Sequence, residues 1–310
     1  FITLIITLSF ISFDALFQSI YDVNLLGIEK SHSTRISGIF KDELILGSYL
    51  SRLFPLIFLT LPMFFKNKNK IEDYIRIFLI ILIGSVIYNS GERSAFGYYF
   101  ITLLMVMILI PIYRKTIIYS SLVVFISISS ISYFQPDVKD RMFNVTMKNL
   151  VAGFKENNRI FIFSEKHEAH YKVAWEMFKD KKIFGHGPKL FREKCKNYDE
   201  FGCSTHPHNT YMQLLSETGI IGFLFFLIIL LYVCFYFAKH LMSELYNKQS
   251  KDNNNKIIIL IAAFISLFPI IPTGNFFGNW LNAIYYIPIG ILLFINFRNI
   301  ETETKIKNLY

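Results

Sequence analysis

The residues most able to do chemistry lie in one polar stretch, Ser204-Thr205-His206-Pro207-His208-Asn209-Thr210-Tyr211-Met212-Gln213, which continues to Glu217-Thr218-Gly219. It stands directly before a long apolar run that begins at Gly219. A histidine with an ordinary pKa of about 6.5 can take a proton from a hydroxyl near neutral pH, so His208 is a candidate general base. His206 is a second imidazole of the same kind. The competing reading is helix-start chemistry, with Asn209 or Thr205 as a cap and the imidazoles as interface residues. On a regular helix the nine positions from His208 to Glu217 make about 900°, half a turn out of phase. Glu217 is therefore poorly placed to orient His208, and capping, a contact to another helix or a contact to substrate remain open to it.

Arginines supply the complementary chemistry. Arg93, in Gly91-Glu92-Arg93-Ser94-Ala95, falls where two apolar runs meet. A cation there is costly unless it is paired or reaches to the interface. A planar guanidinium fork would also suit a diphosphate, whose oxygens match its donors. Arg35, in Thr34-Arg35-Ile36-Ser37-Gly38, and Arg192, in Phe191-Arg192-Glu193-Lys194-Cys195, are weaker candidates of the same type, with solvated surface roles as the alternative. Two other patterns are set aside. His167-Glu168-Ala169-His170 has its histidines three apart, where a zinc-protease helix needs four. Gly185-His186-Gly187 lacks the residues that complete a phosphate loop and reads as a turn. No metal site and no cofactor is expected.

The elements that must carry these groups are helices in a bilayer. Apolar residues make up 53% of the 310 positions, and mean hydropathy is +0.40. That composition argues against a soluble fold. The net charge of +9 comes largely from lysines between apolar runs, where membrane topology accounts for them, so no nucleic-acid partner is expected. A membrane helix needs about 20 mainly apolar residues, and runs near that length fall at 1–20, 44–65, 74–90, 95–113, 116–134, 219–238, 257–275 and 283–297. The expectation is an all-α, polytopic membrane bundle of eight spans. It divides into five helices over 1–134, a loop with amphipathic helices over 135–218, and three helices with a tail over 219–310.

Short basic loops set the orientation. Lys66, Lys68 and Lys70, then Arg114 and Lys115, then Lys239 to Lys256, then the tail from Arg298 to Lys307 all fall on one side, which is read as cytoplasmic. The opposite side receives 21–43, Gly91-Glu92-Arg93, the long segment 135–218 and the stretch around Trp280. Within the long segment, Arg159 to Lys182 reads as an amphipathic helix with Phe163, His167, Tyr171, Ala174 and Phe178 on its apolar face. A further helix is expected to start near Pro207 and run into the next span. Cys195 and Cys203 share this segment, and an oxidising compartment would favour a small disulfide loop. The first residues are already apolar, with no charged leader, so upstream helices are expected to be missing.

Several stretches together carry a resemblance. They are Arg35-Ile-Ser-Gly-Ile-Phe-Lys-Asp-Glu-Leu, Gly-Glu-Arg93-Ser, Phe184-Gly-His-Gly-Pro and Thr205-His-Pro-His-Asn209-Thr-Tyr-Met-Gln-Leu-Leu-Ser-Glu-Thr-Gly219. The chain resembles the bacterial O-antigen ligase and O-antigen polymerase family, most specifically through the His-Asn pair followed by Glu-Thr-Gly at the end of a long outer loop. The resemblance implies a metal-independent transfer of a glycan from an undecaprenyl-diphosphate carrier to an acceptor sugar, in lipid A core or in a growing glycan. The reaction would occur at the periplasmic face of the bacterial inner membrane, among membrane lipids. It implies His208 as base and Arg93 as the diphosphate-binding arginine, with Arg35, Arg192, His206, Asn209 and Glu217 contacting substrate. The second imidazole, His206, departs from a single-histidine pattern, so which of the two acts stays open.

Within the enzyme class, ligase and polymerase are not separated by these motifs, and transfer to protein is a third variant. A lipid-glycan flippase is the reading from another class. A transporter should place charges near the bilayer midplane. Here the charges inside the runs, chiefly Asp14, Arg52 and Arg76, lie toward their ends, which favours a surface-facing transferase.

Overall fold

The computed structural model describes residues 2–65, 70–148, 164–245 and 251–307. Every apolar run becomes helical over at least part of its length. α1 spans Ile2–Tyr21; α2 (Leu46–Leu53) continues through a tight turn at Phe54–Leu56 into α3 (Ile57–Phe64). α4 is Lys70–Asn89, α5 Arg93–Leu109 and α6 Arg114–Phe134. Then come α7 (Glu165–Asp180), α8 (Thr210–Leu245), α9 (Lys251–Leu267) and α10 (Asn279–Lys307). Of these, Ile2–Tyr21, Pro111–Phe134 and Thr210–Ser243 are long and apolar enough to cross a membrane. Leu46–Pro62, Arg93–Leu109, Asn254–Leu267 and Asn279–Phe294 are shorter apolar helices. Each expected run is thus helical in part, but among the described residues three helices rather than eight meet the full length and hydropathy of a span.

The bundle is apolar on both its inner and outer surfaces, the signature of helices solvated by lipid. Inside, Leu50, Phe54, Phe58, Ile83, Tyr99 and Ile259 are fully buried. Outside, Phe10, Phe78, Leu104, Phe125, Phe225 and Phe235 are exposed. Three buried ionisable groups within the helices have polar or aromatic partners. Asp14 accepts from Asn24 Nδ2 at 3.1 Å and from Leu25 N at 3.0 Å, pinning the loop after α1. Arg76 pairs with Glu72 and Asp73 and lies 4.4 Å from the Tyr113 ring centroid. Arg52 lies 4.6 Å from the Tyr98 centroid and donates to Ser48 O at 3.2 Å.

Two elements differ from the sequence expectation. The run 257–275 is helical only to Leu267, because Pro269 and Pro272 withhold amide donors and disfavour helix before them. Its remainder folds back over the end of the bundle. The amphipathic helix starts at Glu165, where Ser164 caps it by accepting from His167 N; the expected residues 159–163 lie outside the described ones. Its buried face is His170, Val173, Ala174 and Met177 rather than the face through Tyr171 and Phe178. That face meets Phe191 and Cys195 in a second small core.

α8 begins at Thr210 as expected but breaks at Gly219, whose φ of 67° and ψ of −163° belong to a region essentially reserved for glycine. The break lets two backbones touch. His186 N donates to Ser216 O at 3.0 Å, Gly187 N to Glu217 O at 2.8 Å and Ile220 N to Lys182 O at 2.8 Å. This crossing fixes the polar loop on the first two turns of α8.

Candidate active site

A cavity of about 330 Å³ opens at the end of the bundle where α4 meets α5. Its lining includes Arg35, Glu92, Arg93, Arg141, His167, His206, His208, Thr273 and Trp280. These residues come from four separate regions of sequence: the loop after α1, the α4–α5 turn, the stretch 135–209, and the segment leading into the first turn of α10.

The cationic wall is built around Gly91, whose φ of +67° makes the tight turn. Arg35 donates from Nε to Ser90 O at 3.2 Å and from Nη2 to Leu44 O at 3.3 Å. Arg141 donates from Nε to Gly91 O at 2.9 Å. A Cβ on Gly91 would lie 2.9 Å from Arg141 Cδ and 3.1 Å from Arg35 Cγ, so only glycine lets both side chains close in. Arg93 completes the set and donates to Thr146 Oγ1 at 3.3 Å. Arg141 sits on a widened π-type turn, Asp140–Asn144, a distortion frequent at functional sites. Burial holds the Arg35 pKa below its usual value; Glu92 opposes that shift, and the nearby Arg141 and Arg93 charges reinforce it.

One carboxylate anchors this wall. Glu92 accepts from Gly47 N at 2.7 Å and from Ser48 N and Oγ at 3.0 and 2.6 Å, and stands 3.9 Å from Arg35. It thereby caps α2 and ties it to the turn that carries Arg93. Burial raises its pKa, against the lowering effect of these donors and of Arg35. With three guanidinium groups against one satisfied carboxylate, the cavity keeps an excess of positive charge suited to a multiply charged anion.

Beside the arginines lies a cluster of imidazoles. The His208 ring centroid is 4.1 Å from that of His206, 5.3 Å from that of His167 and 5.3 Å from that of His170. His208 has a φ of 55°, and its carbonyl accepts from Thr273 N at 2.9 Å. Its Nε2 is 3.4 Å from Ser204 Oγ. Burial first, then the neighbouring imidazoles and Lys166, lower the His208 pKa to about 3. Burial likewise leads the lowering of His206 to about 4. Both rings are therefore neutral at physiological pH, the form that can accept a proton.

Residues 78–227 match the family model described as O-antigen ligase. The chain carries an O-antigen ligase family domain. The match runs from within α4 into α8 and includes Arg93, Arg141, His206 and His208; Arg35 and the segment around Trp280 lie outside it. No curated protein matches the chain. The match and the apolar helices together support a membrane protein of the O-antigen ligase-like kind, and that family implies a glycosyltransferase-like enzyme.

The cavity brings together four of the seven residues expected from sequence: Arg35, Arg93, His206 and His208. The other three do not line the cavity. Asn209 is the N-cap of α8: its Oδ1 accepts from Tyr211 N at 3.0 Å and Met212 N at 3.1 Å, and its Nδ2 donates to Pro269 O at 2.8 Å. Glu217 is fully buried and accepts from Lys189 N at 3.1 Å, Phe191 N at 2.9 Å and Gln213 Nε2 at 3.0 Å. It clasps the turn before Phe191 to α8, which realises the capping role left open by the sequence. Arg192 is exposed next to that clasp.

Arg141, Glu92, His167 and Trp280 were not foreseen as lining residues. His167 and His170 belong to the sequence pattern set aside as a false zinc motif, and folding carries them to His208. Arg141 lies seven residues past the end of α6 and lacks the signal that singled out Arg93, a cation where two apolar runs meet. Cys195 and Cys203 are joined in a disulfide that closes the loop directly before Ser204.

Proposed function

We propose that this protein transfers a glycan from an undecaprenyl-diphosphate carrier to an acceptor sugar at the periplasmic face of the inner membrane, as an O-antigen ligase. The observation that carries this reading is the single cavity in which Arg35, Arg93 and Arg141 stand beside the neutral His206–His208 pair. The arginines hold the diphosphate. As the bond from the anomeric carbon to the diphosphate oxygen breaks, negative charge grows on the leaving group, and preorganised guanidinium groups stabilise that state more than the ground state. The acceptor hydroxyl oxygen forms the new glycosidic bond, its proton passes to His208, and the lipid diphosphate departs. Attack opposite the leaving group inverts the anomeric configuration.

An apolar cavity of about 280 Å³ between α8, α9 and α10, lined by Leu214, Phe226, Ala263, Phe276 and Ile289, offers room for part of a carrier's hydrocarbon tail. The test is glycan transfer in membranes from undecaprenyl-diphosphate donor, comparing the parent with His208→Ala, Arg93→Ala and Arg141→Ala at matched abundance. Loss of one charge-stabilising or proton-accepting group is expected to cost about 10²-fold or more in turnover. Unchanged transfer in the three variants would remove the site assignment, and a retained anomeric configuration would remove the direct displacement. Product on lipid A core marks a ligase, whereas lengthened glycan on the carrier marks a polymerase.

A further inference from the structure

The segment 268–278 and the start of α10 bring an indole into the cavity that the diphosphate chemistry leaves unused. Trp280 lines the same cavity as His206 and His208 and packs, partly buried, against the hydrophobic core. Its surroundings are clamped to the histidine-bearing end of α8. Thr273 N donates to His208 O at 2.9 Å, and the Thr210 and Thr273 hydroxyls are 3.0 Å apart. Gln213 Nε2 donates to Asn275 Oδ1 at 2.7 Å, and Phe276 N donates to Gln213 Oε1 at 2.9 Å. Gly274 packs next to the indole: a Cβ built there would be in ordinary contact with Trp280 Cζ2, at 3.5 Å. An indole that lines a polar cavity has an electron-rich face and one N–H donor to offer a ligand.

We propose that Trp280 is the stacking platform for the acceptor sugar, holding the C–H face of a pyranose ring while one hydroxyl faces His208. The inference rests on the transferase reading and deepens it, because it names a specificity-determining side chain outside the O-antigen ligase match. One feature assigns the platform to the acceptor. The clamp joins the Trp280 segment to His208, the proton-accepting side, while the arginines converge on Gly91 from other segments. Stacking needs only a flat patch of C–H groups, so it fixes ring orientation while hydrogen bonds select the hydroxyl pattern.

The chain has two tryptophans, and Trp175 is exposed on α7. Trp175→Phe in the full chain therefore leaves Trp280 as a sole fluorescent reporter. The probes are cyclic hexoses and N-acetylhexosamines, with an open-chain alditol as the control that has hydroxyls but no ring face. Cyclic probes are expected to shift Trp280 emission and shield it from acrylamide, and the alditol is not. In transfer kinetics, Trp280→Leu is expected to raise the acceptor KM about tenfold while donor KM and kcat stay near the parent values, and Trp280→Phe to restore most of the loss.

A Trp280→Leu variant with parental acceptor KM overturns the proposal, as does a rise confined to the donor KM. An emission that ignores cyclic sugars in protein that transfers glycan also overturns it and leaves the transferase intact. Sugar-dependent emission in a protein that transfers nothing supports the platform and sinks the transferase reading instead.

Discussion

His208 faces a conflict between burial and basicity that the donor itself can resolve. Its pKa is lowered to about 3, because burial first, then three neighbouring imidazoles and Lys166, oppose the charged form. A base that weak accepts a proton reluctantly. A diphosphate bound by Arg35, Arg93 and Arg141 would bring negative charge close to the ring and raise that pKa. The acid limb of kcat, which reports the donor complex, is therefore expected at higher pH than the acid limb of kcat/KM, which reports the free enzyme. A pH–rate series over both parameters checks this, and coincident limbs would show that the base is insensitive to the anion. Stability carries the same sign. With folded values of about 4 and 3 for His206 and His208, below the ordinary value of about 6.5, the unfolded chain binds more protons. The stability present above pH of about 6.5 is lost as pH falls toward the folded values. The melting temperature of the solubilised protein should drop across that interval, and less so in a His206→Gln/His208→Gln double variant.

At the scale of elements, Gly219 shows what sequence could and could not reveal. The motif ending in Glu-Thr-Gly219 was visible as a family feature, and the run after it as a helix. Its mechanical meaning was hidden, because it depends on a second backbone 33 positions earlier, around His186. A Cβ on Gly219 would lie 2.2 Å from Ile183 O, and one on Gly185 2.4 Å from the Glu217 backbone carbon. Neither neighbour is a flexible side chain, so relief requires separating the two backbones. Gly219→Ala is expected to destabilise the fold by about 2–4 kcal/mol and to release the clasp made by Glu217. Gly290→Ala is the control, since a Cβ there meets nothing within 4 Å. Thermal unfolding of the two variants in the same detergent tests the contrast; equal midpoints would mean that the crossing is not a close contact. The end of α9 at Leu267 and the burial of His170 were opaque for a related reason. Hydrophobic periodicity marks which stretches are helical, but prolines and tertiary packing decide where a helix stops and which face turns inward.

Across the whole molecule the candidate groups collect at one end because the helices alternate in direction. α4 runs from Lys70 to the Gly91 turn and α5 runs back from Arg93 to the basic start of α6 at Arg114. The far ends of α1, α4 and α6 meet through Ser19, whose hydroxyl accepts from Gln135 Nε2 at 2.8 Å and also from Asn89 Nδ2, which donates at 2.5 Å. α8 starts at this same end and α9 returns to it, since Tyr211 Oη donates to Leu267 O at 2.6 Å. The described short basic stretches, at Lys70, Arg114–Lys115 and Lys251–Lys256, therefore fall at the opposite end, where the excess of Lys and Arg predicts the cytoplasm. The disulfide between Cys195 and Cys203 is on the cavity side and would persist in an oxidising compartment. These independent signals give one labelling pattern. In spheroplasts, a membrane-impermeant maleimide should modify the loop only after an impermeant reductant opens Cys195–Cys203. A cysteine placed at the exposed Lys115 should stay protected until the membrane is broken. Immediate labelling at position 115, with Cys195 and Cys203 reached only after lysis, would invert the bundle and put the cavity in the cytoplasm, where a periplasmic glycan acceptor could not meet it.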